Sequence, residues 1–374
     1  MKKVLFLSGN NIFEAIGHGG TIVSKGNYDI LTEAFGSENV YVLLLTGDKF
    51  EKQEHITYIP KHKNKIEYFF NSLFLRGRCN RKKEKMILDY IKQESFDIIF
   101  FDGSLYGKIL RRVNKRGIKT IVFFHNVEKD FAHFIMKNNG YLYFTQYLSA
   151  WYNEKLSMAY GNKLITLNDR DSLQLKRYYG REAQLVVPVW HADKFNPQSD
   201  KTKDGMMHKT LLFVGNAGLQ ANVDGITWFA NEVMPHLPEF TLFIVGREFE
   251  KYSNLFTGSN INLIGTVAEL DTYYYEAGAV VSPILYGAGM KTKTAEALMY
   301  GKVVFASDEA LAGYQVEGVY GIWRCNTAEE YIRTIKEFWE SGDIISAQTQ
   351  VRNLFLNHYE KNVVKSNYIS QLLL

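Results

Sequence analysis

The stretch Pro283-Ile-Leu-Tyr-Gly287-Ala-Gly289-Met-Lys291-Thr-Lys293-Thr-Ala-Glu296-Ala-Leu-Met-Tyr-Gly301-Lys-Val-Val-Phe-Ala-Ser307 places glycines, lysines and one carboxylate at spacings that suit an anion. It reads as the end of a strand, a glycine-containing turn, a helix, a glycine and a second strand. That order puts backbone N–H groups and a helix N-terminus at the carboxyl end of a parallel strand, where exposed donors and the helix dipole favour negative charge. Gly287 and Gly289 let the backbone approach a phosphate closely. Lys293, near the first helical turn, can neutralise charge that grows on a departing diphosphate, and Lys291 is a second cation. Glu296 lies three residues on, on the same helix face, and can accept two hydrogen bonds from a vicinal diol such as ribose. Phosphate and ribose readers side by side point to a nucleotide. The same spacing also fits a common Gly-x-Gly turn followed by a solvated Lys/Glu pair.

Three further places present polar groups next to apolar runs. Gly19-Gly20 stands in a loop between a first apolar run and the helix-like Ser24 to Phe35 and by itself reads as a permissive turn, with His18 as a loop residue beside it. Phe123-Phe124-His125-Asn126-Val127-Glu128 ends an apolar run on a histidine, the position at which α/β folds present ligand groups. His125 is a ligand-facing group or a structural hydrogen-bonding residue, and Glu128 can equally cap the next helix. In Leu167-Asn168-Asp169-Arg170-Asp171, Asn168 or Asp169 is read as a helix N-cap.

These groups need a scaffold, and the rest of the chain supplies one. Short apolar runs recur at Val4 to Leu7, Val40 to Leu45, Asp97 to Phe101, Lys119 to Phe124, Lys163 to Leu167 and Gln184 to Val187. A second series occupies Thr210 to Val214, Phe240 to Val245, Ile261 to Ile264, Ala279 to Ser282, Val303 to Phe305 and Val319 to Trp323. Fully apolar strands separated by helix-length segments imply parallel sheets covered on both faces, so two doubly wound α/β units stand in tandem. Asp224 to Met234, Thr292 to Met299 and Ala328 to Trp339 have helical apolar spacing. The prolines of Val187-Pro188-Val189-Trp190 and Phe195-Asn196-Pro197, with the polar run Ser199 to Lys209, mark a connection. The expected domains are 1–194, 195–350, and a helical tail 351–374.

The 374 residues suit two domains and a cleft. A formal charge of +4 is too weak to call for a polyanionic partner, and no nucleic acid is expected. Cys79 and Cys325 stand far apart, which fits a reducing cytoplasm and offers no zinc spacing. The apolar run after Met1-Lys2-Lys3 stops at Ser8-Gly9-Asn10, too short for a signal or a membrane span, and reads as a buried strand.

The Gly287 to Ser307 segment resembles the donor-binding motif of family 4 glycosyltransferases and the glycosyl transferases group 1. The likeness continues upstream through Phe213-Val214-Gly215, Asn222-Val223-Asp224, Trp228-Phe229, Pro235, Val245-Gly246-Arg247 and Gly265-Thr266-Val267. The resemblance implies the GT-B architecture: two Rossmann-like doubly wound parallel-sheet domains facing a cleft, acceptor side first and nucleotide-sugar side second, with the tail helix crossing back to the first. It implies a retaining transferase that moves a hexose-type sugar from a nucleoside diphosphate, UDP foremost, to a glycan or lipid-linked hydroxyl, in bacterial surface polysaccharide or glycoconjugate assembly. The implied catalytic residues are His125, Lys293 and Glu296. The implied donor contacts are Gly19, Gly20, Gly215, Asn216, Arg247, Gly287, Ala288, Gly289, Met290, Lys291, Lys293 and Glu296. No metal and no cofactor beyond the donor are expected. Many similar proteins carry a Glu eight residues before the helix Glu, in contact with the donor sugar. Here that position is Ala288, so the chain is similar to the subgroup in which main-chain N–H groups face the sugar.

Residues 61–85 interleave Lys61, Lys63, Lys65, Arg76, Arg78, Arg81, Lys82, Lys83 and Lys85 with Phe69, Phe70, Leu73, Phe74 and Leu75. Such a stretch can lie at an anionic bilayer, which would bring the protein to the inner face of the membrane and suit a lipid-linked acceptor. It can also be an amphipathic helix with its lysines in water. Phe131, Phe134, Ile135 and Met136 can widen the apolar surface. Two other readings fit the sequence: a sugar-nucleotide epimerase of similar shape, and a catalytically idle partner subunit.

Overall fold

The computed structural model describes residues 2–13, 19–46, 54–60, 65–199 and 208–373. His18, Lys61, Lys63 and most of the polar run after Ser199 lie outside the described residues. The chain forms two compact units, Met1–Pro188 with Lys365–Leu374, and Val189–Val364.

In the first unit the strands are β1 (Val4–Ser8), β2 (Val40–Thr46), β3 (Ile56–Pro60), β4 (Ile98–Asp102), β5 (Lys119–Phe124), β6 (Lys163–Thr166) and β7 (Leu185–Val186). They make a parallel sheet in the order β3-β2-β1-β4-β5-β6-β7. Helices α1 (Gly19–Phe35), α2 (Lys65–Leu73), α3 (Arg81–Glu94), α4 (Gly107–Asn114), α5 (Glu128–Asn139), α6 (Phe144–Tyr160) and α7 (Asp169–Tyr179) connect and flank the strands. β1 and β4 are buried along their whole length, as central parallel strands covered on both faces must be, and their side chains carry the core. β3 was not anticipated. Its sequence Ile-Thr-Tyr-Ile-Pro is mostly half-buried and ends in proline, which an edge strand tolerates and a central strand does not. Asn168 is the N-cap of α7, its side chain accepting from the Asp171 amide at 2.8 Å.

The second unit has β8 (Thr210–Val214), β9 (Thr241–Val245), β10 (Ile261–Gly265), β11 (Ala279–Ser282), β12 (Val303–Ala306) and β13 (Ile322–Arg324) in the parallel order β10-β9-β8-β11-β12-β13. Its helices are α8 (Gln220–Glu232), α9 (Asp271–Glu276), α10 (Thr292–Met299), α11 (Ala328–Ser341) and α12 (Ile344–His358). The last strand starts at Ile322, not Val319, because Gly321 takes a positive φ of 106° just before it. The tail is two helices, α12 and α13 (Lys361–Leu373), separated at Tyr359-Glu360. From Lys365 onward α13 packs with the first unit: Lys365 pairs with Glu33, Lys163 donates to the Gln371 carbonyl, and buried Tyr368 donates to Asn27 at 3.3 Å.

Both sheets reverse their strand order once, the first between β1 and β4, the second between β8 and β11. At such a reversal the two flanking loops leave in opposite directions, which opens a crevice at the carboxyl ends of the strands, the position where open α/β sheets bind ligands. Ser8 and Asp102 are paired residues at the first reversal. Gly215 follows β8 and Pro283 follows β11 at the second.

Candidate functional site

The glycine turn predicted from sequence is the loop from β11 into α10. Gly289 sits at a φ of 63°, which a side chain would strain, and Met290 behind it is buried. Lys291 is the residue before α10, and its ammonium reaches back to the carbonyls of Ala288 at 3.2 Å and Gly289 at 3.0 Å and to Glu309 at 2.7 Å. Lys291 therefore ties the turn together and shares its charge with a carboxylate. Tyr314 completes the brace by donating to the Lys291 carbonyl at 2.7 Å and accepting from the Ala295 amide at 3.2 Å.

Lys293 is placed differently. Lys293 is half-buried, its ammonium 2.9 Å from the Asn222 side-chain oxygen and 5.2 Å from the centre of the Phe213 ring. Burial pulls its pKa down from the usual lysine range to about 7, Glu296 opposing and Lys291 adding to the effect. Asn222 is buried and held in turn, since its amide donates to the Asn216 carbonyl at 2.8 Å. Glu296 accepts from Tyr274 at 3.2 Å, and Tyr274 is stacked on Tyr300 with ring centres 4.5 Å apart. The carboxylate is thus fixed through one oxygen.

Gly215, Asn216 and Arg247 meet on the same side of the second sheet. The Gly215 amide donates to Val245 at 2.9 Å, the Ala217 amide to the Arg247 carbonyl at 2.9 Å, and the Asn216 side chain accepts from Gly218 at 2.9 Å. A Cβ on Gly246 would stand 1.6 Å from the Gly215 carbonyl oxygen, so this close approach of the two loops requires glycine. Sequence reasoning named Lys293 and Glu296 but not their holders, Asn222 and Tyr274. Asn222 was visible only as part of a quoted motif.

In the first unit Gly19-Gly20 lies within α1, at the start of its described residues, and not in a loop before the helix. Both glycines are half-buried. His125, just past β5, is 13% exposed at its side chain and approaches Asp102 Oδ1 with Nε2 at 2.9 Å. Asp102, fully buried, also accepts from Ser8 at 2.6 Å, Ser24 at 2.5 Å and Asn27 at 3.1 Å. Burial alone would raise its pKa, but the adjacent His125 and the Ser24 and Ser8 hydroxyls outweigh that and hold it below the usual carboxylate range. An ionised Asp102 accepts a hydrogen bond from Nε2–H of His125 and leaves Nδ1 as the nitrogen for a ligand. Asp102 was missed in the sequence because four residues distant in sequence define its role. Arg78 was read as part of a surface stretch. In the structure burial of its guanidinium is outweighed by Tyr106, Glu128 and Asp102 close by.

Glu128 opens α5, and the helix is capped from outside by Glu154, which accepts from the amides of Glu128 at 2.6 Å and Lys129 at 3.3 Å and from Tyr179 at 2.8 Å. Burial pushes Glu154 up to about 8 despite the Tyr179 bond, with Glu128 adding to the rise. Its folded pKa lies above its unfolded one, so the native state binds the extra proton between them. The stability it confers is full below about 4.5 and is lost as pH rises through about 8. Glu154→Gln is expected to remove that slope from melting temperatures measured between pH 5 and 8, while Glu154→Ala lowers them throughout by the loss of the cap, about 1 kcal/mol or more.

Residues 208–341 match the family model Glycosyl transferases group 1. A Klebsiella pneumoniae protein described as an uncharacterized 44.6 kDa protein in the cps region is 23% identical over 259 residues, 64% of this chain and 65% of that protein. Sucrose-phosphate synthase from Thermosynechococcus elongatus superposes with a TM-score of 0.75 at 16% identity, covering 100% of this chain and 98% of its own. Anabaena Alr3699/HepE, solved with UDP and glucose, gives 0.68 at 13% identity over 100% and 99% of the two chains. The two parallel-sheet units are those of the GT-B fold, and the described part of the second unit from residue 208 to 341 is similar to the glycosyl transferases of group 1.

Proposed function

We propose that the protein transfers a hexose-type sugar from a nucleoside diphosphate, UDP foremost, to a glycan or lipid-linked hydroxyl with retention of anomeric configuration. The observation that carries this reading is the half-buried ammonium of Lys293 at the head of α10, held by Asn222 and standing three residues before a fixed Glu296. A desolvated cation at a helix N-terminus has few reasons to exist in a free protein and one strong one in a complex, the charge of a diphosphate.

In this reading the amides of the Gly287 to Met290 turn and Lys293 hold the diphosphate, Lys291 keeps the turn in shape, and Glu296 takes the ribose diol. Gly215, Asn216 and Arg247 line the same edge. The bond from the anomeric carbon to the phosphate oxygen breaks, the bond to the acceptor oxygen forms on the same face, and the acceptor proton passes to the leaving diphosphate oxygen. Gly19-Gly20 and His125 of the first unit serve the sugar and the acceptor, with His125 Nδ1 available to a sugar hydroxyl. Catalysis is then positioning and electrostatics, with Lys293 and the helix terminus in place of a metal. EDTA is expected to leave the rate unchanged.

The setting proposed is surface polysaccharide or glycoconjugate assembly, supported by the family resemblance and by the relative from a cps region. Peripheral contact of residues 61–85 with the membrane belongs to the same reading. Among the described residues no helix is long and apolar enough to cross a membrane.

The experiment is a thermal-shift screen against UDP, GDP, dTDP and CMP and their sugar conjugates. One nucleotide is expected to raise the melting temperature selectively, by mass action equivalent to about 2.7 kcal/mol at a hundredfold excess over its dissociation constant. Consumption of the sugar conjugate without an acceptor would favour an epimerase, and no shift with any nucleotide would favour an idle partner subunit.

A further inference from the structure

Between α3, α4 and α6 of the first unit lies a cavity of about 440 Å³ that shares no residue with the candidate donor or His125 sites. Six cations line it: Arg76, Arg81, Lys108, Arg111, Arg112 and Lys115. Glu84 is the one carboxylate in the lining, and it is already engaged with Arg112 at 3.1 Å. Tyr152 and Leu156 supply an apolar wall.

Concentrating like charge around one cavity costs stability unless an anion answers it. Lys108 records that cost: burial, then Arg76 and Arg112, lower its pKa, and its ammonium is anchored on the Phe74 carbonyl at 2.7 Å. The same anchor joins the cavity to an apolar surface. Arg76 stands 5.6 Å from the centre of the Phe74 ring. Ile66, Phe69, Phe70, Leu73 and Phe74, on α2 and just after it, are all exposed, Ile66 at 66% and Phe74 at 59%. Large exposed apolar side chains contiguous with a basic cavity form an amphipathic surface whose two halves fit the two halves of one ligand class.

We propose that this cavity is a headgroup site, which takes the phosphate of an anionic phospholipid while the exposed face of α2 enters the headgroup–acyl boundary of the bilayer. Here the inference rests on the membrane-contact part of the function proposed above and deepens it: the specific recognition lies in the α3–α4 cations, four of which, Lys108, Arg111, Arg112 and Lys115, are outside the basic stretch read from the sequence. Hydrocarbon contact alone would show no headgroup preference. The cation-lined cavity requires one.

The test is co-sedimentation of the full chain with vesicles of phosphatidylglycerol or of phosphatidylcholine at low salt. Arg81, Arg111 and Lys115 are exposed, so R81Q/R111Q/K115Q is expected to keep the melting temperature of the parent. The parent is expected to sediment with phosphatidylglycerol and not with phosphatidylcholine, and the triple variant to lose on the order of a hundredfold in vesicle affinity, about fivefold for each cation. Phe70→Ser with Leu73→Ser is expected to weaken sedimentation with the headgroup preference retained. The proposal is overturned if the triple variant sediments like the parent, if both lipids serve equally, or if the parent binds inorganic pyrophosphate at these cations but no vesicle. Nucleotide thermal shifts on the same samples keep the readings apart: a shift without vesicle binding leaves the donor site standing and removes this one, and the converse leaves this one standing.

Discussion

Lys293→Met is expected to weaken nucleotide-sugar binding by roughly 10- to 150-fold and at the same time to raise the melting temperature of the ligand-free protein. The ammonium lies against Asn222 and Phe213, and desolvation brings its pKa from 10.5 to about 7. In the native state the group is therefore neutral over a range in which the unfolded chain still carries the proton. The unfolded state binds more protons between about 7 and 10.5, so stability rises with pH across that window and the full cost of the desolvated charge is present below it. Methionine keeps the length and removes the charge, at the expense of one unpaired acceptor on Asn222, a loss of about 1 kcal/mol. A net gain on the order of 1–2 kcal/mol at pH 6, roughly 2–8 °C, is expected, and it should vanish toward pH 10. Binding moves the other way: a charge-assisted contact worth about 1.5–3 kcal/mol disappears, which is roughly 10- to 150-fold in affinity, with a further loss of rate where diphosphate charge develops. Because a bound diphosphate restores the proton, donor binding above pH 7 should take up a proton, visible as a buffer-dependent heat in titration calorimetry. A variant that melts lower than the parent at pH 6 would show that the protein alone satisfies the ammonium, and the diphosphate argument would fall.

Those two effects trace to a segment that could be read directly. Gly287, Gly289, Lys293 and Glu296 fall within ten consecutive residues, and a strand–turn–helix fixes their relation through local geometry alone. The apolar runs of the central strands were legible for a similar reason, since a strand covered on both faces has no polar alternation to confuse it. What failed to show were features made by distance in sequence or by competition between local signals. β3 is an edge strand in which one residue of five is fully buried, so its pattern is weak. α1 includes Gly19 and Gly20, poor helix formers whose propensity tertiary context overrides. The run 351–374 is periodic throughout, but His191 pairs with Glu360 and its amide reaches the Tyr359 carbonyl, which breaks the helix where the chain leaves the second unit. Asn222 meets Lys293 across 71 positions, and the cationic cavity assembles Arg76 and Arg81 with Lys108 to Lys115. No local pattern announces such meetings.

Asp102 is the extreme case, and its substitution tests the first-unit site. Asp102→Asn is expected to lower kcat/KM by roughly a hundredfold or more while costing stability on the order of 1–3 kcal/mol. Packing is preserved because the amide is isosteric. Its oxygen can still receive His125 and Asn27. Its NH2 must face Ser8 and Ser24, whose oxygens already accept from Asn10, so the two hydroxyl protons lose their acceptor. That is the structural loss, and it should appear in the acid limb as well. The native pKa of Asp102 lies below 3.8, so its contribution is present above that value and is lost as pH falls through the lower native one. The Asn variant should therefore melt with a flatter dependence below pH 4. The larger loss has another origin: without the carboxylate nothing fixes the Nε2 proton or balances an imidazolium, so Nδ1 no longer meets the ligand in one defined state. If Asp102 acts through His125, then on a His125→Ala background the same substitution should cost little more in rate although it costs the same stability. Equal rate losses on both backgrounds would make Asp102 a buttress of the β1–β4 crevice, with no part in presenting the histidine.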